Sequence, residues 1–200
     1  MKPIRTAVAA ALWLGCATGA AASEPALRGD SIYQLEAAWT DSENRPVALA
    51  SLRGKVLVAT MAYTTCESAC PILFSDLQRL ERALSPAARE RVWFVIFSLD
   101  PERDTPERLR EFRVRRGLDS PRWLFLTAPA DRVREMSAVL AVQYRRDGRG
   151  ELVHSSVISV VDAEGVIRHQ QAGLGLDPAP LAVVIEGLVS SQAGSASPAP

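Results

Sequence analysis

Two short apolar runs, each followed by an amphipathic stretch, constrain the fold of this chain more than any other feature. Val56–Met61 and Val92–Phe97 contain no charged residue. Uninterrupted apolar strands are typical of parallel sheets whose two faces are both covered. The stretch after the first run, Pro71–Leu84, carries leucines at helical spacing, which predicts a helix with one buried face. The chain therefore begins its core with a strand, a helix and a second buried strand.

The same alternation continues along the rest of the chain. Thr105, Pro106 and Glu107 are the residue types of a helix N-cap and first turn, and we expect this helix to end at Gly117. The remaining predicted elements are a strand over Trp123–Thr127, a helix opened by Pro129, a hairpin of Val157–Val161 with Val166–His169, and a last helix from about Asp177. This order predicts an α/β domain with a largely parallel sheet that ends in antiparallel strands. The thioredoxin-like fold is one member of that class.

The first 22 residues have the layout of a secretory signal peptide. Lys2 and Arg5 precede the apolar run Ala7–Cys16, and the small residues Ala20–Ala22 follow. The run is short for a membrane span of about 20 residues, so a retained anchor is the alternative. We therefore expect an exported, periplasmic protein with four parts: residues 1–22 as signal peptide or anchor, 23–31 as a loose segment, 32–190 as the domain and 191–200 as a flexible tail.

The balanced charge of the chain argues against a nucleic-acid partner. The chain has 23 basic and 23 acidic residues, and loss of residues 1–22 would leave a net charge of −2. Nucleic-acid-binding proteins usually carry a basic excess. Acidic residues interleave with the arginines between Arg103 and Arg116, which predicts a solvated helix face. Arg145, Arg146 and Arg149 lie close in sequence to His154 and could contact an acidic partner.

Two cysteines remain after cleavage, and they lie where the first strand meets its helix. Cys66 and Cys70 are four residues apart in Cys-Glu-Ser-Ala-Cys-Pro. Residues at this spacing share one side of a helix, so both sulfurs can converge on one point. Pro71 fits the first helical position, which would place Cys70 at the helix N-terminus with a lowered thiol pKa. Two buried cysteines, a structural disulfide, a redox pair and a thiolate site for Cu(I) or zinc all remain open, and the junction favours the last two.

His154 is the candidate third ligand, because two sulfurs alone leave a metal under-coordinated. In a thioredoxin-like sheet, Val157–Val161 runs antiparallel beside Val56–Met61, which brings His154 to the cysteines; a surface or core histidine is the alternative. Asp100 follows the second buried strand at the same sheet edge. It could orient a ligand or contact a partner, or it could be only a turn residue. We expect His169 on the surface.

Three sequence segments, taken together, resemble the Sco/SenC family over residues 30–190. They are Tyr-Thr-Thr-Cys and Cys-Pro around Cys66 and Cys70, the segment Ser98–Glu107, and His154-Ser155 with Asp162 and Gly165 behind it. The resemblance implies a thioredoxin-like fold with a central mixed sheet flanked by helices. It also implies a metallochaperone rather than an enzyme, binding one copper ion, Cu(I) or Cu(II), through Cys66, Cys70 and His154. Asp100 matches an acidic position that the family links to function.

The resemblance further implies partners. The family helps to assemble the CuA centre of cytochrome c oxidase, so we expect a CuA-bearing subunit as client, with a copper donor protein and a thiol reductant. Membrane contact is expected only through an uncleaved N-terminus. Met61-Ala62, Glu67–Ala69 and Val153 depart from the usual family residues. They leave the client open, and another CuA enzyme such as nitrous oxide reductase is the alternative.

A periplasmic thiol–disulfide oxidoreductase or redox sensor is the competing hypothesis, with Cys66 and Cys70 forming a reversible disulfide. Two observations weigh against the enzyme. The spacer has three residues instead of the two of thioredoxin motifs, and the loop directly before Val157 lacks the proline that thioredoxins have opposite their cysteines. A peroxidase is disfavoured, because Tyr63 occupies the position where peroxiredoxins have Thr or Ser.

Overall fold

The computed structural model describes residues 27–35, 38–148 and 151–195. Within these ranges the strands are β1 (Trp39–Asp41), β2 (Pro46–Val47), β3 (Val56–Ala62), β4 (Val92–Ser98), β5 (Trp123–Thr127), β6 (Tyr144–Arg146), β7 (Leu152–His154), β8 (Val157–Val161) and β9 (Ile167–Ala172). The α-helices are α1 (Ala69–Ala83), α2 (Pro86–Arg91), α3 (Pro106–Arg115), α4 (Ala130–Val139) and α5 (Ala179–Ser195). Two 3-10 turns, Ile32–Gln34 and Leu49–Leu52, precede β3.

Seven strands form one mixed sheet in the order β2-β1-β5-β4-β3-β8-β9. The three central strands β5, β4 and β3 are parallel, whereas β8 runs antiparallel to β3 and β9 antiparallel to β8. Every residue of β3 is buried, as expected for a strand covered on both faces. This topology confirms the predicted α/β fold with a central mixed sheet flanked by helices, and the predicted antiparallel neighbour of the first buried strand.

Helix α1 begins two residues earlier than the sequence pattern predicts. Its buried face carries the expected apolar side chains, Leu73, Leu77 and Leu80 among them. Pro71 lies within the first turn, where backbone N–H groups have no helical partner and proline is tolerated. Cys70 is consequently the second residue of the helix, and Cys66 lies in the loop before it.

Helix α3 follows its predicted signals closely. The Thr105 hydroxyl accepts a hydrogen bond from the Arg108 N–H at 3.4 Å, which confirms the N-cap. The helix ends at Arg115, and Gly117 follows with a φ of +64°. A positive φ is unfavourable for residues with a Cβ atom, so glycine suits the termination of this helix.

Three short features were not anticipated: the β1–β2 hairpin, helix α2 and the separate two-stranded sheet of β6 and β7. Strands of two or three residues are too short to show an alternating pattern. Such short strands depend on side-chain contacts at their turns. In the β1–β2 turn, the Asp41 carboxylate accepts hydrogen bonds from the N–H groups of Glu43 and Arg45, both at 2.9 Å.

Structural elements and contacts extend past residues 32–190 at both ends. Ser31, which was assigned to the loose segment, is buried, and its hydroxyl donates to the Glu164 carbonyl at 2.6 Å. Helix α5 continues through residues 191–195 of the predicted tail, because after Pro180 in its first turn no proline follows until residue 198. The predicted signal peptide lies outside the described residues. Among those described, no helix is both long and apolar enough to span a membrane.

Candidate metal centre

Cys66, Cys70 and His154 come together at the carboxyl end of β3. Their ligand atoms all lie within 4.8 Å of one another. The Cys70 sulfur is 3.9 Å from Nε2 of His154, and the Cys66 sulfur accepts the Cys70 backbone N–H at 3.3 Å. Both cysteines are free thiols. Two sulfurs and one imidazole nitrogen thus converge on one point, although 84 residues separate Cys70 from His154.

The hydrogen bonding of the His154 ring leaves the correct nitrogen available. Nδ1 lies 3.0 Å from the Ser155 carbonyl oxygen, which can only accept. In the neutral ring Nδ1 therefore carries the hydrogen, and the lone pair is on Nε2, which faces the sulfurs. Fixing the ring through its second nitrogen is the usual way in which proteins orient a metal-binding histidine.

The helix N-terminus acts on Cys66, which corrects the expectation that Cys70 has the lowered pKa. A hydrogen bond with the Cys70 thiol contributes most to lowering the pKa of Cys66, and the His154 ring and the N–H groups of Cys70 and Ala69 add to it, against the effect of burial. The pKa of Cys70 is raised by the hydrogen bond to Cys66 and by burial. The sulfur of Cys66 lies before the helix and receives the free N–H groups of its first turn, whereas the sulfur of Cys70, inside that turn, does not.

The loop that carries Cys66 is held by a buried carboxylate. Asp104 accepts hydrogen bonds from the Thr64 N–H at 3.2 Å, the Thr64 hydroxyl at 2.5 Å and the Ser98 hydroxyl at 2.6 Å. Burial raises the pKa of Asp104, and these hydrogen bonds oppose the shift. In the sequence, Asp104 belongs to a charge run that predicts a solvated helix face. Its hydrogen bonds to Thr64 and Ser98 show that it faces inward, and no signal in the sequence indicates this.

His154 reaches the cysteines on the small sheet of β6 and β7, not on the main sheet. The Tyr63 hydroxyl donates to the Leu152 carbonyl at 2.5 Å, and the Tyr63 ring lies edge-on to the His154 ring with centroids 5.8 Å apart. The Ser155 N–H donates to the Gln143 carbonyl at 2.8 Å. The sequence identifies Tyr63 as part of the Tyr-Thr-Thr-Cys motif and as a departure from the peroxiredoxin pattern, but it does not reveal the role of Tyr63 in holding β7.

Asp100 lies in the turn after β4, and its contacts are to arginines. Its carboxylate is fully buried, forms an ion pair with Arg103 and accepts a second ion pair from Arg146 on β6 at 3.1 Å. Arg146 also pairs with Glu102 at 3.2 Å. The structure thus connects Asp100 to the sheet that carries His154, while a role in orienting a ligand or contacting a partner stays a prediction. His169 lies on β9, opposite Val160.

The donor set indicates which metals this arrangement can bind. Thiolates are soft ligands that select Cu(I) and zinc, and imidazole binds copper in either oxidation state. Cys70 is fully enclosed, Cys66 is 5% exposed and His154 is half-buried, so the site lies just beneath the surface. A shallow site with three protein ligands fits the copper predicted from the sequence and leaves room for ligand exchange.

Comparison with known proteins is consistent with this geometry. A family model described as SCO1/SenC matches residues 28–190. A protein of Stutzerimonas stutzeri named as copper-binding is 28% identical over 157 residues, covering 75% of this chain and 74% of its own length.

Two solved structures share the fold. Arabidopsis thaliana ScoI, solved with copper bound, superposes with a TM-score of 0.63 at 20% identity, covering 78% of this chain and 94% of its own. BsSco is described as a member of the Sco family of cytochrome c oxidase assembly proteins with a disulfide switch. It superposes with a TM-score of 0.66 at 23% identity, covering 76% of this chain and 90% of its own. Because the family model spans most of the chain, including both cysteines and His154, the chain belongs to the SCO1/SenC family.

Proposed function

We propose that this protein is an exported copper chaperone that binds one copper ion through Cys66, Cys70 and His154 and delivers it to the CuA centre of cytochrome c oxidase or of a related respiratory enzyme. The observation that carries the proposal is the convergence of two sulfurs and one imidazole nitrogen within 4.8 Å. Family membership supports it, as do the copper bound by ScoI and the description of BsSco as an oxidase assembly protein. The basic, apolar and small-residue segments of residues 1–22 support export.

Metal analysis of the reduced protein tests copper binding. We expect about one copper ion per chain, lost in Cys66→Ser and Cys70→Ser and weakened in His154→Ala, since each change removes one donor atom. His169→Ala is the matched control, because His169 lies on β9 away from the cluster and should leave the copper content unchanged. Equal copper binding by the double cysteine variant would refute the proposal.

A dithiol function is the second candidate, and one observation favours it. The pKa of Cys66 is lowered while Cys70 stays protonated beside it, which is the arrangement of an attacking thiolate with a resolving thiol. The disulfide switch of BsSco supports the same chemistry. The reduction potential and the rate of exchange with a model disulfide, measured without copper, decide between the two. Rapid turnover would favour the oxidoreductase, and slow exchange would favour the chaperone.

A further inference from the structure

Two grooves meet at the metal centre, and each is lined by one of its ligands. The Cys66 groove, about 410 Å³, is bordered by Thr64, Cys66, Glu67, Phe112, Arg115 and Arg116. The His154 groove, about 420 Å³, is bordered by Gln143, Tyr144, Arg145, Val153, His154 and Ser155. The sulfur of Cys66 and a ring nitrogen of His154 lie within 4.8 Å of each other, so the two grooves border the same site. Cys70 is fully buried beneath the grooves.

The surface of the two grooves is basic although the chain as a whole is neutral. The two grooves are lined by three arginines, Arg115, Arg116 and Arg145, and by one acidic residue, Glu67. Arg103 and Arg146, which lie nearby, are paired with Asp100 and Glu102 and add no net charge. Arg115 pairs with Glu111 at 3.8 Å, so the local excess of positive charge comes from Arg116 and Arg145. A local excess of positive charge on a neutral protein attracts acidic partners to that face and orients them there.

One arginine in each groove has no carboxylate within ion-pair distance among the described residues. The Arg116 guanidinium stacks over the rings of Phe112 and Phe74, with centroids 5.1 and 5.8 Å away. Stacking holds the planar group in place and leaves its N–H donors available for a bidentate carboxylate contact. Arg145 lies on β6 opposite Val153, which is 47% exposed. On the His154 side, the exposed apolar side chain of Val153 therefore lies beside the unpaired guanidinium of Arg145.

We propose that the Cys66 groove and the His154 groove together dock an acidic protein surface that carries the copper-accepting thiols, with Arg116 and Arg145 each pairing with a carboxylate on opposite sides of the metal. This inference rests on the proposed copper transfer and adds the chemistry of the partner. The transfer is a ligand exchange. Cu(I) leaves the two sulfurs and the ring nitrogen for two acceptor sulfurs, no electron moves, and the protons displaced from the acceptor thiols go to the thiolates left behind.

Transfer of Cu(I) to two synthetic peptides tests the inference. Both contain Cys-x-x-x-Cys, one flanked by aspartates and the other by lysines. From the copper-loaded protein at low salt, we expect the second-order transfer rate to the aspartate peptide to be about tenfold higher. The difference should vanish at 1 M salt, where the screening length is about 3 Å. This comparison needs no variant and so does not depend on whether a variant folds.

Charge reversal at the two arginines localises the effect. Arg116→Glu combined with Arg145→Glu should bring the aspartate peptide to or below the rate of the lysine peptide, with unchanged copper content. Arg82→Glu is the matched control: Arg82 is an exposed arginine in the last turn of α1, whose first turn holds Cys70, and its change should leave both rates as they are. Equal rates for the two peptides at low salt would overturn the docking inference while copper transfer stands. A protein that binds no copper would overturn the proposed function itself.

Discussion

The three residues proposed as copper ligands differ in exposure. Cys70 is enclosed by the first turn of α1, Cys66 lies just below the surface, and His154 is the most accessible. An incoming acceptor thiol can therefore reach a bound ion beside His154 or Cys66, but not beside Cys70. We infer that exchange begins by displacement of the imidazole, the harder ligand of the three for Cu(I), and ends at Cys70.

The lowered pKa of Cys66 leads to a prediction for the metal-free protein. A thiol with a depressed pKa stays ionised as the pH falls below the usual range near 8.5, and the thiolate is the form that reacts with alkylating agents. In the folded, reduced protein we expect iodoacetamide to modify Cys66 at pH 6 and to leave Cys70 protected. Peptide mass spectrometry after timed labelling measures this.

The urea-unfolded chain is the control, because both thiols then titrate normally and should react equally and slowly at pH 6. Preferential labelling of Cys70 in the folded protein would contradict this prediction, because it would show that the helix N-terminus stabilises the thiolate of Cys70 instead of that of Cys66.

Among the secondary-structure elements, the small sheet of β6 and β7 decides whether the third ligand is in place. It is separate from the main sheet, and two side-chain contacts connect it to the domain. The Tyr63 hydroxyl donates a hydrogen bond to the Leu152 carbonyl of β7, and the Asp100 carboxylate forms an ion pair with Arg146 of β6. A three-residue strand pair is not stable by itself. The position of His154 therefore depends on residues that do not touch the metal.

Arg146→Gln should weaken copper binding without removing a ligand. The Arg146 side chain is 43% exposed, so solvent screening limits the ion pair with Asp100 to about 1 kcal/mol, or roughly a fivefold loss of affinity. Arg145→Gln is the matched control on the same strand, because Arg145 points to the groove and should leave affinity unchanged. A competition titration of Cu(I) against a chromophoric chelator measures both variants.

A double-variant cycle separates positioning from general destabilisation. If Arg146 acts through His154, Arg146→Gln should have little further effect in a chain that already carries His154→Ala. A fully additive loss of affinity would contradict the positioning role.

In the whole molecule, bound copper would link parts of the chain that are far apart in sequence. The proposed ligands come from the loop after β3, the first turn of α1 and β7, with 84 residues between Cys70 and His154. The unfolded chain cannot hold the three donors together, so copper should bind the folded state preferentially.

We therefore expect Cu(I) to raise the melting temperature of the reduced protein. With free Cu(I) at about 100 times the dissociation constant, the stabilisation is about 2.7 kcal/mol, which for a chain of this size corresponds to about 5–11 °C. Differential scanning calorimetry measures the shift, and a Cu(I) chelator should reverse it. The double variant Cys66→Ser with Cys70→Ser should melt at the same temperature with and without copper; an equal upward shift in this variant would show that the ion stabilises the fold from another site.

The sequence by itself determined the local parts of this protein. The apolar runs of β3 and β4, the leucine spacing of α1 and the Thr105 cap of α3 depend on contacts between near neighbours or on full burial, so composition and periodicity reveal them. The motif residues around Cys66, Cys70 and His154 predicted which three side chains come together.

Tertiary structure decided how these parts act together. The sulfur that receives the helix N–H groups, the inward orientation of Asp104 and the connection of Asp100 to the His154 strand through Arg146 all depend on contacts between distant segments. A charged residue gives the same sequence signal whether it faces solvent or a buried hydroxyl, and a three-residue strand leaves no periodicity. Only the packing of the folded chain distinguishes those cases, because desolvation and hydrogen bonding act on atoms brought together in space.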